Sequence, residues 1–228
     1  MKRLTRAVNG GEVTAASEQP TVFRWSAGRP PGVPAGLPVP VRVLELVDAD
    51  AVSHGLAEGS GLTRTSDAAF TAALAQSRAA AIALSGGDAS HVTTVIAAST
   101  ETAQTHLRVA LSSPGNQWRW MRGLDGANHA LVEEMEALAA NLERNRRKGW
   151  LPGAVLLVGQ DRAYAPAARG LRLKGVPLWV LQPGRFIAAP LYVAAVEVTP
   201  LAPRLTGGAG PAAWHHRAHH PARPGALP

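Results

Sequence analysis

Apolar residues along the chain are concentrated in short segments, and each is followed by a longer segment of mixed polarity. Apolar residues dominate residues 41–48, a segment that closes with Asp48, and residues 155–158 form a wholly apolar run, which Asp161 follows. Short apolar runs that do not alternate with polar residues are typical of strands covered on both faces, as in a parallel sheet. Further strands are predicted at residues 92–98, 109–111, 118–122 and 176–181.

The segments between these runs favour helices. Ser66 is a suitable N-cap for an Ala-rich helix over residues 67–84. A longer helix is predicted over residues 126–148, because apolar residues recur there at the spacing of one buried stripe. The residues of that stripe are Leu131, Met135, Leu138 and Leu142. Two shorter helices are predicted at residues 100–107 and 164–174, and a loop is predicted at residues 52–61. Strands that alternate with helices predict a three-layer α/β sandwich of Rossmannoid type around a mostly parallel sheet.

The ends of the chain differ in composition from its centre. Residues 41–203 carry the periodic patterns and are predicted to form one domain, whereas residues 1–40 and 204–228 are rich in Pro and Gly and are expected to be disordered. The net charge of +7 is concentrated at the ends. Residues 41–201 hold 15 Lys and Arg against 14 Asp and Glu, or +1, whereas the rest of the chain holds 8 basic residues against 2 acidic ones, or +6. Such ends either attract polyanions or only keep the protein in solution.

Composition excludes several classes of protein. The chain has no cysteine, so disulfide bonds and thiolate metal sites are excluded. No apolar run approaches the roughly 18 residues of a membrane-spanning helix, and no apolar signal segment follows Met1. A cytoplasmic protein without a membrane partner is therefore expected. The histidines near the C-terminus favour adventitious over physiological metal binding, because nothing in that segment fixes a ligand geometry.

Acidic residues close two of the predicted strands. Asp48 and Asp161 each follow an apolar run, and Asp50 lies just after Asp48. Because parallel strands present their carboxyl ends at one edge of the sheet, Asp48 and Asp161 are predicted to lie on adjacent strands at the same edge. Carboxylate oxygens that converge on one point are the ligands that Mg²⁺ or Mn²⁺ needs for phosphodiester hydrolysis.

Three segments together resemble the NYN domain, a branch of the PIN-like nuclease superfamily that is common in bacteria. They are the strand that ends in Asp48, the sequence GLDGANHALVEEM at residues 123–135, and the sequence VLLVGQDRAYAPAARGLRLKGVPLWVL at residues 155–181. The resemblance covers residues 41–201 and is more specific in its C-terminal half. It implies a PIN-like fold, metal-dependent cleavage of RNA with Mg²⁺ or Mn²⁺, and Asp48 and Asp161 as catalytic, metal-binding acids.

The chain departs from the NYN pattern at two positions. Asn128, a weaker metal ligand, stands where the family usually has an acid, and Ala163 stands where a second acid often follows the last strand-end acid. Asp125 and Asp50 are further candidate metal ligands, although Asp125 is better explained as the N-cap of the long helix. Two hypotheses follow: a metal-dependent endoribonuclease, or a catalytically inactive domain that binds RNA or another protein. They are distinguished by whether a third carboxylate joins the two strand-end acids within about 6 Å of one point.

Aromatic and basic residues indicate how RNA is bound. Trp118 and Trp120 flank Arg119, and Arg122 follows, so that bases have stacking partners beside phosphate-binding groups. Arg162, which follows the last strand-end acid, is a further candidate for substrate binding. The alternative, which is favoured, is that the two tryptophans share one face of a strand and belong to the core.

Two other classes of protein compete with this interpretation. In the opening motif of haloacid dehalogenase-like phosphatases, Asp48 would be the nucleophile and Asp50 the general acid, and Ser99 fits the second motif. Those enzymes need paired acids after a later strand, and only Asp161 is present there. A dinucleotide-binding Rossmann domain is less favoured still, because no Gly-x-Gly-x-x-Gly sequence follows the first strand.

Overall fold

The structure, a computed structural model, describes residues 41–112, 116–123, 125–147 and 152–201. The terminal segments predicted to be disordered, residues 1–40 and 204–228, lie outside the described residues, as do the last two residues of the predicted domain.

The described residues contain one sheet of six parallel strands. The strands are β1 (Val43–Asp48), β2 (Val92–Ser99), β3 (Gln117–Met121), β4 (Ala154–Val158), β5 (Leu178–Gln182) and β6 (Glu197–Pro200). Their order across the sheet is β3-β2-β1-β4-β5-β6. The order reverses between β1 and β4, and open sheets of this kind bind ligands in the crevice at such a switch point.

Eight α-helices of the described chain cover the two faces of this sheet. They are α1 (Ala49–Ser60), α2 (Asp67–Leu84), α3 (Thr100–Thr105), α4 (Leu107–Leu111), α5 (Gly126–Ala140), α6 (Leu142–Arg147), α7 (Ala165–Leu173) and α8 (Ala189–Ala194). In β1, Leu46 belongs to the apolar core beneath α5 and α7, whereas Val47 belongs to the core beneath α1 and α2. Successive side chains of a strand point to opposite faces, so this pattern places one layer of helices on each side. The predicted three-layer α/β sandwich is confirmed.

Most of the predicted elements are present with small shifts of their ends. Ser66 accepts a hydrogen bond from the Ala69 N–H and is the N-cap of α2, as predicted. The predicted stripe of four apolar residues on the long helix is buried throughout. That helix is interrupted, however, at Asn141, whose side-chain amide donates to the Ala137 carbonyl at 2.8 Å and ends α5. None of the described helices is long and apolar enough to cross a membrane.

Two predicted elements are wrong. The segment predicted as a loop at residues 52–61 belongs largely to α1, which begins directly after Asp48. The glycines of this segment favoured a loop, but only Gly61 has a left-handed φ, +67°, and it ends the helix. The segment predicted as a strand at residues 109–111 lies in α4, where Val109 and Ala110 are buried. A run of three apolar residues is too short to distinguish a strand from one helical turn.

Gly55 allows α1 to approach the loop that follows β5. A Cβ atom on Gly55 would lie 2.6 Å from the carbonyl carbon and the carbonyl oxygen of Pro183. Both atoms belong to the backbone, so they cannot move aside as a flexible side chain does. Gly59, one turn further along the same helix, has open space where a Cβ would stand.

Gly55→Ala is expected to lower the free energy of unfolding by about 1–3 kcal/mol, because the added methyl group overpacks against a rigid loop. Gly59→Ala is the matched control and is expected to raise it by roughly 0.5–1 kcal/mol, because alanine is the better helix residue there. Urea denaturation of both variants measures the two changes. Equal effects of the two substitutions would contradict the close packing of α1 at Gly55.

Candidate binding site at the carboxyl edge of the sheet

Asp48 lies at the carboxyl end of β1, and both of its carboxylate oxygens accept hydrogen bonds. Its side chain is buried, with the residue 3% exposed. Oδ1 accepts from the Ala51 N–H at 2.9 Å, so the carboxylate is the N-cap of α1. Oδ2 accepts from the hydroxyl of Tyr164 at 2.7 Å. Helix α1 therefore starts at the switch point because β1 ends in a residue that caps it.

Tyr164 reaches this carboxylate from the short 3₁₀ turn that follows β4, Arg162–Tyr164. The residue is fully buried, and its hydroxyl also lies 2.5 Å from Oδ1 of Asn128 on α5. We call the contact of these three side chains the tyrosine bridge. One hydroxyl proton serves only one acceptor, so the bridge requires either that the Asn128 amide turns its NH₂ toward the tyrosine oxygen or that Asp48 carries a proton.

The electrostatic environment makes ionisation of the bridge costly. Burial raises the pKa of Asp48 to about 6; the hydrogen bonds from Ala51 and Tyr164 oppose this shift, and the neighbouring Asp50 adds to it. Burial also raises the pKa of Tyr164 above its ordinary value, and the charges of Asp48, Asp161 and Asp50 raise it further. Three carboxylates therefore act on one buried hydroxyl.

Asp161 lies at the same edge of the sheet as Asp48, three residues after the end of β4, so the two acids follow adjacent parallel strands, as the sequence predicts. The pairing of Val47 with Val158 aligns the carboxyl ends of β1 and β4. Asp161 is exposed, and its Oδ1 accepts from the Ala163 N–H at 2.7 Å, so that it caps the 3₁₀ turn that carries Tyr164.

Asp50 faces the end of β2. Its two oxygens accept from the Ser99 N–H at 3.0 and 3.1 Å, and Oδ1 also accepts from the Ser99 hydroxyl at 2.9 Å. Ser99 is in turn the N-cap of α3, where it accepts from the Thr102 N–H. The contact links the first turn of α1 to β2 and leaves the oxygens of Asp50 already engaged.

The residues at this edge do not fit a tightly held metal ion. Across the described parts of the chain, no group of three or more His, Asp or Glu side chains is arranged to hold one. The Tyr164 hydroxyl lies between Asp48 Oδ2 and Asn128 Oδ1, 2.7 and 2.5 Å from them, respectively. A cation bound by both oxygens would need this same position, at about 2.0–2.6 Å from each. No step of chemistry is therefore assigned to a metal here.

Asp125 does not have the predicted role of helix cap. It precedes α5, but its side chain accepts no hydrogen bond from the helix. Its backbone, with φ of −100° and ψ of 13°, is outside the extended conformation that directs a cap side chain to the helix N–H groups. The residue is exposed at the start of α5, whereas Asn128 is half-buried in the bridge.

The two tryptophans of β3 differ in burial. Their rings stack with centroids 5.6 Å apart, and β3 is an edge strand of the sheet. Trp118 is half-buried against the core, as predicted, but Trp120 is 47% exposed and is not a core residue. Arg119 forms an ion pair with Glu134 of α5. Arg122 and Arg162 are both exposed.

Sequence reasoning did not find the contact of Tyr164 with Asp48. The only available signal was an aromatic residue placed three positions after the strand-end acid Asp161. The sequence indicated that this residue packs against the core. It did not indicate that its hydroxyl, in the turn after β4, reaches the acid at the end of β1. The contact joins residues 116 positions apart, so it depends on the strand order rather than on local pattern.

The fold and the site define a three-layer α/β protein in which Asp48, Asp50 and Asp161 lie at the carboxyl edge of the sheet, near its switch point. No family model matches the sequence, and no curated protein matches it. Among solved structures, the chain is similar to the crystal structure of a protein of unknown function from Vibrio parahaemolyticus. The identity is 11% and the TM-score 0.45, over 72% of this chain and 94% of that one. A similarity of this degree carries no argument about function.

Proposed function

We propose that this protein is an RNA-binding domain of the PIN-like NYN type that lacks metal-dependent nuclease activity. The observation that carries the proposal is the tyrosine bridge. It engages Asp48 and Asn128 with Tyr164 at the point where the NYN resemblance expects metal-binding acids. A carboxylate whose two oxygens are already hydrogen-bonded, in a residue 3% exposed, is poorly placed to receive a hydrated cation.

Aromatic and basic residues along the carboxyl edge of the sheet support RNA as the ligand. Trp120 presents an exposed indole that is held in place by its stack with Trp118, and every base has a face that stacks on such a ring. Arg122 lies just beyond the same strand and Arg162 just beyond β4, so both are placed to contact phosphates at the carboxyl edge. The basic terminal segments add sequence-independent attraction.

A metal-dependent endoribonuclease is the second candidate. The observation in its favour is that the charges of Asp48, Asp161 and Asp50 all raise the pKa of Tyr164, so that three acids lie in the neighbourhood of one buried hydroxyl. The phosphatase alternative needs Asp48 to attack phosphorus. That residue is buried, and both of its oxygens accept hydrogen bonds, so nothing favours it.

Trp120→Ala is expected to weaken the binding of a single-stranded RNA by about 1–3 kcal/mol, the usual value of one base stacked on an aromatic ring. Tyr192→Ala is the matched control, since Tyr192 is an aromatic residue, 60% exposed, on α8 at the opposite side of the sheet. Fluorescence anisotropy of a labelled oligonucleotide at fixed salt measures both variants. Equal affinity of Trp120→Ala and wild type would exclude the indole as a binding surface.

The same titration tests the alternative of a protein-interaction module. If wild-type protein does not bind RNA at low salt, or binds it only through the terminal segments, the crevice is not an RNA site. Repeating the titration with residues 41–201 alone separates the two contributions, because most of the net charge lies outside that range.

A further inference from the structure

A serine, a histidine and an aspartate meet away from the tyrosine bridge, on the face of the sheet covered by α1 and α2. Oγ of Ser53, in α1, lies 3.2 Å from Nε2 of His106, which separates α3 from α4. Nδ1 of the same histidine lies 2.9 Å from Oδ1 of Asp67, the first residue of α2. We call these three residues the serine cluster. Neither the resemblance to NYN domains nor the proposed function assigns them a role.

The hydrogen bonds fix the tautomer of His106. An ionised carboxylate only accepts, so Nδ1 carries the proton that is donated to Asp67. Nε2 then has a lone pair that accepts the hydroxyl proton of Ser53. The imidazole also stacks on the ring of Phe70, with centroids 4.1 Å apart and planes 2° apart, which holds its orientation. A serine bonded to a histidine that a carboxylate orients is the arrangement in which a hydroxyl becomes nucleophilic.

The cluster is only partly covered by the rest of the protein. Ser53 is half-buried and the Asp67 side chain is 46% exposed, although His106 itself is only 1% exposed. Thr65 donates its hydroxyl to the Ser53 carbonyl and so holds the turn between α1 and α2 beside the serine. Two large apolar residues on the same segments are exposed: Leu62 at 60% and Leu107 at 47%. Exposed apolar side chains on the segments that carry the cluster suit a small molecule with an apolar part.

We propose that the serine cluster is a hydrolytic site for small activated carboxylic esters, with Ser53 as nucleophile, His106 as general base and Asp67 as the residue that positions His106. The Ser53 oxygen forms a bond to the carbonyl carbon while its proton moves to Nε2 of His106. The carbon–oxygen bond to the leaving group then breaks, and the departing oxygen takes that proton as the alcohol. Water, deprotonated in the same way, releases the carboxylic acid and restores the serine, so that one ester and one water give one acid and one alcohol.

A fluorophosphonate probe tests the nucleophile in the full-length protein. The Ser53 oxygen bonds to phosphorus, fluoride leaves, and the hydroxyl proton passes to His106, so each molecule gains the mass of one probe without fluoride. Intact-mass and peptide mass spectrometry are expected to place the adduct on Ser53, and Ser53→Ala is expected to lose it. Ser60→Ala, at the exposed end of the same helix, is the matched control and is expected to keep it.

Asp67→Asn separates a hydrolytic role from a structural one. Its side chain is partly exposed, so the fold is expected to survive, which a melting curve checks. The amide no longer fixes the Nδ1–H tautomer, and the labelling rate is expected to fall at least about 10-fold. An unmodified Ser53 after excess probe would overturn the proposal. So would labelling of Ser53 at the wild-type rate in folded Asp67→Asn, since the cluster would then only join three helices.

Discussion

Arg78→Met is expected to lower the free energy of unfolding by about 3 kcal/mol, the low end of the cost of leaving a buried carboxylate without its partner. Glu45, in the middle of β1, is 1% exposed, and burial raises its pKa above the ordinary value. Its carboxylate accepts from Ser77 and from Thr94, and Arg78 lies 3.6 Å away. Arg78 also donates to the Thr94 hydroxyl at 2.5 Å and to the Val92 carbonyl, and these hydrogen bonds connect α2 to β2.

The control for this prediction is Arg169→Met, which removes an exposed arginine of α7 and is expected to change stability by less than about 0.5 kcal/mol. Combining Arg78→Met with Glu45→Leu is expected to restore much of the loss, because the buried charge is then removed with its partner. Denaturant unfolding at neutral pH measures all three. A loss below about 1 kcal/mol for Arg78→Met would mean that Ser77 and Thr94 alone satisfy Glu45.

Asp48→Asn is expected to stabilise the protein above pH 6 by up to about 3 kcal/mol, at 1.36 kcal/mol for each pKa unit. Burial raises the pKa of Asp48 from 3.8 to about 6, so the folded state holds its proton more tightly than the unfolded state does. The contribution of Asp48 is therefore complete below pH 3.8 and is lost as the pH rises through 6. An amide keeps an oxygen for the Ala51 N–H and adds an NH₂ that donates to the Tyr164 oxygen.

The difference between wild type and Asp48→Asn, measured by urea unfolding from pH 4 to pH 8, isolates this group from the other acids. The difference is expected to be small at pH 4 and to grow between pH 4 and pH 7. Glu136→Gln, at an exposed acid on α5, is the control and is expected to leave the pH profile unchanged. A variant that is less stable than wild type at pH 8 would show that the ionised carboxylate holds the bridge together.

The placement of Asp48 and Asp161 was predictable because it follows from two local facts. Each acid lies at or just after the end of an apolar segment, and parallel strands bring their carboxyl ends to one edge. The helical state of residues 52–61 was not predictable in the same way. Gly55, in the middle of α1, serves a close approach to the Pro183 backbone, which is a tertiary contact. Glycines that serve packing and glycines that serve turns look alike in one sequence.

The side-chain contacts at the carboxyl edge depend on which strands are neighbours in the sheet. Tyr164 bonds to Asp48 because β1 and β4 are neighbours, and Asp50 bonds to Ser99 because β1 and β2 are neighbours. The resemblance to NYN domains named the acids but not the partners that occupy their oxygens. The binding proposal is favoured over the nuclease alternative mainly because of those partners, and less because Asn128 stands where the family usually has an acid.

The measurement that tests the central proposal most directly follows a labelled RNA with excess wild-type protein, in Mn²⁺ and in EDTA. The proposal predicts that the RNA is bound equally in both and stays intact, because the tyrosine bridge occupies the oxygens that a metal would need. Asp161→Asn is carried in parallel to separate the protein's own activity from contaminating nuclease. Cleavage that requires Mn²⁺ and disappears in Asp161→Asn would contradict the proposal and establish the ribonuclease instead.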